Sequence, residues 1–369
     1  MSTADDGRPV LFVTNIVAPD RRGAFAALHA SEGVELALFG GRSHHATGPV
    51  ADPGVPHRAV EQRAVARLAA SGRYRAVVCG TAGRTALPGA VAGARAARGG
   101  RVPFLLWSAL WAQPVSPAHA LSWPLLRALY AGGADAIVTY GSHVSAFVAR
   151  RGARRVFIAP QAVDNAFWGA PGAAGPLPGA AAFTALFVGR PAPEKGAALL
   201  RRAWRASGLP SSNAALVLAG AAAGPAVTGP GGAMGRGEHV LGPANPEQVR
   251  NFMAHAHVVV MPSLPTRTFR EPWGLVANEA MNQRVPIIAS DAVGAAAGGL
   301  VRDGRNGLIV PAGDERALAG ALLRMHDDPV WRRNLGENAR RDVSAYSFDA
   351  WAAGFTQALA AVGRARGAA

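Results

Sequence analysis

Short apolar runs recur along the first half of the chain, each bounded by Gly, Pro or polar positions. They are Val10–Thr14, Val34–Phe39, Ala76–Cys79, Phe104–Trp107, Ala136–Tyr140 and Val156–Ala159. Strands buried on both faces of a parallel sheet read as continuous apolar runs rather than as alternation. Segments with helical spacing lie between them, such as Glu61–Ala70 and Leu121–Tyr130. This alternation predicts a parallel sheet with helices on both faces.

Trp168 to Ala182 carries no charge and is rich in Gly, Pro and Ala, which reads as a linker. The pattern then restarts, with strands expected at Thr184–Val188, Ala215–Leu218, His239–Leu241, Val258–Met261, Pro286–Ala289 and Leu308–Val310. Helices are expected at Ala197–Ala206, Pro246–His255, Leu275–Asn282 and Ala317–Met325. Asn245 stands as an N-cap with Pro246 at the first helical position and Gln248 at the third. Ala221 to Gly237, nearly all Ala, Gly and Pro, reads as a loop. The chain thus divides into an N-terminal domain over 1–167, a linker over 168–182, a C-terminal domain over 183–345 and a last helix over 346–369 able to cross back to the first domain. The predicted class is α/β, two Rossmann-like, doubly wound domains facing across a cleft at the carboxyl ends of their strands, where such sheets bind ligands.

A length of 369 residues supports this division, since single cores stop growing near ~250–300 residues. No window of about 18 unbroken apolar residues predicts a membrane span, and no secretory signal is visible at the N-terminus. Cys79 is the single cysteine, so no internal disulfide can form, in keeping with a reducing compartment. The net charge of +15 favours phosphate-bearing ligands or an anionic membrane surface. Nucleic-acid binding lacks a helix-turn-helix, a zinc-ligand spacing or an aromatic RNA-reading strand. A nicotinamide-dependent oxidoreductase lacks a G-x-G-x-x-G after the first strand.

Among 38 Lys+Arg residues there is a single lysine, Lys195. An ammonium is a compact point charge that arginine does not copy. Lys195 lies in "FVGRPAPEKG", where a strand ends at Gly189, a Pro-rich turn follows and a helix begins near Gly196. Arg190 and Lys195 flank that turn and can offer a diphosphate two cations. "REPWGLVANEAM" supplies the facing half, with Glu271 just before a helix start and Glu279 within the helix. The N–H groups of Gly274, Leu275 and Val276 are free donors at such a start and favour an anion. Glu271 can then accept hydrogen bonds from hydroxyls of a group carried by the phosphate, and Glu279 from a different pair, such as those of a ribose.

Four stretches together resemble family four of the retaining glycosyltransferases, of GT-B fold. They are Gly-Arg-x4-Lys-Gly at Gly189–Gly196, E-x7-E at Glu271 and Glu279, "VPIIASD" and "DGRNGLIVPAGD". The resemblance is strong from about Phe183 to Arg341 and weaker but continuous over the N-terminal half. It implies that Arg190 and Lys195 bind the diphosphate of a nucleotide-sugar, UDP- or GDP-linked, and that Glu271 holds donor-sugar hydroxyls. By the same resemblance Trp273, Gly274 and Leu275 offer backbone groups, and Glu279 binds the ribose. The base falls near Leu241, Gly242 and Pro243, and neither metal nor cofactor is needed. Ser108 stands where many relatives carry a histidine, which leaves His119 and His143 as acceptor-side candidates by location. The glycine-pair loop usual after the first strand is reduced to Gly23, beside Arg21 and Arg22, and Gln161-Ala162 replaces the family's Asn-Gly. A sugar-nucleotide epimerase on the same fold is the alternative enzyme.

Val102 to Leu126 contains no charged residue and holds Trp107, Trp111 and Trp123, with four prolines that break it. It reads either as a buried strand followed by a loop packed on the core, or as an apolar wall for a lipid-linked acceptor. The acceptor expected is a glycan, glycolipid or small molecule, at the cytoplasmic side with peripheral contact to anionic lipid.

Overall fold

The structure, a computed structural model, describes residues 7–40, 52–81, 86–172, 177, 181–220 and 235–367. Most of the loop expected at Ala221–Gly237 and part of the linker expected at 168–182 lie outside the described residues. Contacts divide the chain into two units, Met1–Asp164 with Ser347–Ala369, and Asn165–Tyr346.

The first unit is built on seven parallel strands: β1 Val10–Thr14, β2 Val34–Leu38, β3 His57–Ala59, β4 Ala76–Gly80, β5 Phe104–Ser108, β6 Ala136–Thr139 and β7 Val156–Ile158. Their order across the sheet is β3-β2-β1-β4-β5-β6-β7. Successive residues of a strand face opposite sides, and both sides are covered. Val10 and Phe12 enter a cluster with Phe25, Trp107, Trp351 and Phe355, while Leu11 and Val13 enter another with Tyr74, Phe104, Tyr130 and Phe147. That two-sided burial is why β1 is apolar at every position. The last helix, Phe348–Gly367, belongs to this unit and packs on the helix Arg22–Glu32.

Strand β3 departs from the sequence reading, which had no strand there. It is a three-residue edge strand whose outer positions, His57 and Ala59, are exposed, so it leaves no apolar run to find. After β5 the helical spacing read over Leu121–Tyr130 is met by a helix, Pro117–Ala128, which starts four residues earlier, inside the stretch also read as a loop. Pro117 occupies the first turn, where its missing N–H costs nothing, Ser116 caps the helix by accepting from the His119 N–H, and Pro124 sits inside it.

The second unit carries six parallel strands: β8 Phe183–Val188, β9 Ala214–Ala219, β10 Glu238–Val240, β11 Val258–Met261, β12 Ile287–Ser290 and β13 Gly307–Val310. Their order is β10-β9-β8-β11-β12-β13. The helix Pro246–Ala254 starts in a full capping box, with Asn245 and Gln248 each accepting the other's backbone N–H. The first residues of the expected linker are fastened to this unit. Trp168 is buried, and the Gln283 side chain donates to the carbonyls of Trp168 and Ala170.

Candidate active site

The order of the second sheet reverses direction between β8 and β11. The chain leaves these two neighbours toward opposite sides, so their carboxyl ends border a crevice, the place where open α/β sheets take ligands. The loop after β8 carries Gly189, Arg190 and Lys195, and the loop after β11 carries Ser263 and Glu271.

Two contacts stitch these loops together. The N–H of Leu264 donates to the carbonyl of Glu194 at 2.8 Å. Gly196, at φ +74°, lies so close to β11's exit that a Cβ there would stand 2.0 Å from the Pro262 carbonyl oxygen. Only glycine combines that left-handed conformation with that approach. Gly196→Ala should therefore cost at least about 1–2 kcal/mol of stability, from the conformation alone, and shift the lysine loop. Urea unfolding checks the first effect, and a variant as stable as wild type would contradict this account.

The result is a short ion pair across the switch point. Lys195 Nζ donates to Glu271 Oε2 at 2.6 Å, with the side chains only 19% and 8% exposed. Ser263 Oγ donates to the same oxygen at 3.1 Å. Ser290, at the end of β12, donates to the Ser263 carbonyl at 2.5 Å and holds that residue in turn. The backbone of Glu271 is fixed as well. It forms a parallel bridge with Val293, and its carbonyl accepts from Gly294 at 3.1 Å. A Cβ on Gly294 would lie 2.0 Å from the Pro272 carbonyl oxygen, so the two segments run in close contact.

The other residues expected on the donor side lie in the same unit. Arg190 faces Glu194 at 3.5 Å with its side chain 41% exposed, while its Nε is buried without a hydrogen-bond partner among the described residues. Gly189 continues the β8–β9 ladder through its N–H to Ala219. Trp273 is buried, its indole N–H donating to Asn278 at 2.8 Å and its ring beside Tyr346 at 5.7 Å, so its side chain is scaffold. Gly274 has φ +92°. The helix Val276–Asn282 follows directly after Leu275, with no side-chain cap at its start. Its first bonds run from Ala277 to the Gly274 carbonyl and from Glu279 to the Leu275 carbonyl. The N–H groups of Gly274, Leu275 and Val276 donate to no backbone carbonyl among the described residues. Glu279 is half-buried in the first turn. Leu241, Gly242 and Pro243 leave β10 on the same edge, where Leu241 donates to Leu218 and Gly242 accepts from Gly220.

The acceptor-side candidates lie in the first unit and are more scattered. Arg21, after β1, is half-buried and donates to the Gln161 side chain. These are two of the departures from the family pattern, and they are partners. Arg22 is exposed, and its Nε donates to the Asp52 carbonyl at 2.5 Å. Ser108 is fully buried and shares a 2.8 Å hydrogen bond with Tyr130, whose hydroxyl pKa burial pushes up to about 12. Its hydroxyl is thus enclosed in the core rather than offered to an acceptor. His119 lies in the first turn of its helix, with Nδ1 2.7 Å from the Oγ of the capping Ser116. His143, after β6, meets Trp111 edge-on at 5.0 Å. Ser263 and Glu194, which hold the Lys195–Glu271 pair and its loop, were not singled out in the sequence, and Ser290 entered only as part of "VPIIASD". The triplet Met261-Pro262-Ser263 at a strand's exit was the signal for the first.

Residues 182–328 match the family described as glycosyl transferases group 1. A D-inositol 3-phosphate glycosyltransferase from Nocardioides sp. is 36% identical over 110 residues, 29% of this chain and 22% of that protein. One from Corynebacterium glutamicum is 33% identical over 180 residues, 45% of this chain and 40% of that protein. The matches thus span between about a fifth and two fifths of the length of these relatives. Among solved structures, Anabaena HepE in complex with UDP superposes with a TM-score of 0.73 at 19% identity, covering 96% of this chain and all of that one. The architecture is therefore GT-B, and residues 182–328 are similar to the glycosyl transferases group 1 family.

Proposed function

We propose that the protein transfers a sugar from a nucleotide-diphosphate sugar to an acceptor hydroxyl with retention of configuration and without a metal ion. The observation that carries this reading is the Lys195–Glu271 pair at the switch point of the second sheet. It sets a cation and a hydroxyl acceptor side by side where a sugar diphosphate has need of both. In this reading Lys195 and Arg190 take the diphosphate, with the N–H groups of Gly274 and Leu275 completing the cradle. Glu271 holds the donor sugar, Glu279 the ribose, and Leu241, Gly242 and Pro243 border the base.

Negative charge grows on the leaving diphosphate as the glycosidic bond breaks. Donors already aimed at that charge lower the barrier, because they need no reorganisation during the reaction. Glu271 Oε2 already accepts from Lys195 and Ser263. A carboxylate oxygen so engaged is a poor nucleophile, which supports same-face attack assisted by the leaving phosphate over a glycosyl-enzyme intermediate. The acceptor is a glycan, glycolipid or small molecule held by the first unit, and the work is placed in the cytoplasm.

Thermal unfolding with UDP, GDP, ADP and dTDP tests the donor site. UDP is the first choice, since HepE is solved with UDP and with UDP-glucose. A nucleotide at ~100 times its Kd should add about 2.7 kcal/mol to native stability. If none of the four raises the midpoint, the donor reading fails.

A further inference from the structure

The helix Pro117–Ala128 turns an apolar face outward. Its exposed positions include Pro117, Ala120, Leu121, Pro124, Leu125 and Ala128, and Arg127 is its single Arg, Lys, Asp or Glu. Leu121 is 84% exposed and Leu125 46%, and Val115 just before the helix is 51% exposed. An ordinary surface helix is polar on this face.

Arginines edge the stripe on both flanks. On one, Gln113, Trp123, Arg127, Arg150 and Arg151 line a cavity of about 360 Å³. None of those three arginines has a carboxylate partner among the described residues. Arg151 lies over the rings of Phe147 and Trp123, at 3.4 and 5.3 Å from their centroids. Burial lowers its pKa, and the like charges of Arg150 and Arg127 push the same way. On the other flank, Leu125 and Leu129 meet Val91, Ala94, Arg95 and Arg98 around a cavity of about 430 Å³. The surrounding sequence has the same sign throughout. Residues 86–163 hold eight arginines and one acid, Asp135, whose carboxylate accepts from the Phe104 N–H.

We propose that this face docks on an anionic phospholipid bilayer. The apolar stripe enters the boundary between headgroups and acyl chains, the two arginine rims take lipid phosphates, and the groove beside Leu125 and Leu129 receives an acyl chain. An apolar stripe between cationic flanks is the arrangement of helices that lie in a membrane interface, and each arginine adds attraction to the negative surface. The sequence pointed to Trp111 and Trp123 for such contact. Both are instead partly buried against the core, and the leucines and prolines beside them face outward. Among the described residues no helix is long and apolar enough to cross a membrane, so contact through this face is peripheral.

The proposal stands apart from the donor site, because vesicle binding needs no nucleotide. Co-sedimentation with phosphatidylglycerol–phosphatidylcholine vesicles, against phosphatidylcholine alone, tests it. The wild type should pellet with the first and not the second. Arg127→Gln with Arg150→Gln should weaken binding about 30-fold. Leu121→Ser with Leu125→Ser should weaken it about tenfold or more. All four side chains are exposed, so an unchanged thermal midpoint will show that both variants fold. A wild type left in the supernatant with anionic vesicles overturns the proposal, as does binding that neither pair of substitutions changes. Binding of inorganic phosphate at the arginines without vesicle binding overturns it too.

Discussion

Lys195→Ala is expected to lower kcat/KM by about 10²–10³, the effect of removing one preorganised donor from a developing oxyanion, about 2.7–4 kcal/mol. UDP release from the accepted donor sugar gives the rate. The same variant should lose the nucleotide-induced rise in melting midpoint, because the ammonium serves the bound diphosphate as well as the transition state. Lys195→Arg should not restore the rate. The ammonium sits 2.6 Å from an oxygen that Ser263 also occupies at 3.1 Å, inside a turn that is tied to β11's exit. A planar fork on a different stem does not reproduce that point contact. Without its partner, Glu271 keeps the Ser263 hydroxyl while remaining 8% exposed, so some loss of ligand-free stability should accompany the loss of rate. A Lys195→Ala enzyme within a few-fold of wild type would remove this residue from the reaction.

What the sequence disclosed follows from how each feature is written in it. The central strands are legible because burial on both faces makes them unbroken apolar runs, as in Val258–Met261 and Phe104–Ser108. Strand β3 is not, because an edge position lets His57 and Ala59 face water. Prolines misled at Pro117, where a proline that breaks a helix interior also begins a helix well. The site divides in the same way. Lys195 stood out by its rarity and Glu271 by its place before a helix. Ser263 and Ser290 act by adjacency across β11 and β12, and nothing local marks two serines 27 residues apart as one support. Gln161 was noticed only as a departure, and its link to Arg21 spans 140 residues.

The least legible feature predicts the largest loss of stability. Arg201 and Arg205 stand one turn apart on the helix Ala197–Ala206, and both reach Glu238 on β10. Glu238 Oε2 lies 2.6 Å from Arg201, and Arg201 and Glu238 are 2% and 6% exposed. The Gly235 N–H adds a 3.0 Å bond to the same carboxylate. Burial pushes the Glu238 carboxyl up, but the Gly235 N–H and the two guanidiniums outweigh it and hold its pKa below the ordinary value. A depressed folded pKa gives stability that is present above the unfolded value and lost as pH falls through the folded one. Acid should therefore loosen this edge of the sheet only below the usual glutamate range. Glu238→Gln removes the charge that faces the buried Arg201, an expected cost of about 3–5 kcal/mol. In a unit of this size that lowers the melting midpoint by about 10 °C. Glu238→Leu combined with Arg201→Met should recover most of the loss, because replacing a buried ion pair by apolar groups is often neutral or better, and Arg205, 47% exposed, can turn to solvent. Calorimetry of Glu238→Leu, Arg201→Met and the double variant measures the coupling. If the double variant loses as much as the two single variants together, the residues are uncoupled, and the depressed carboxyl pKa has another origin.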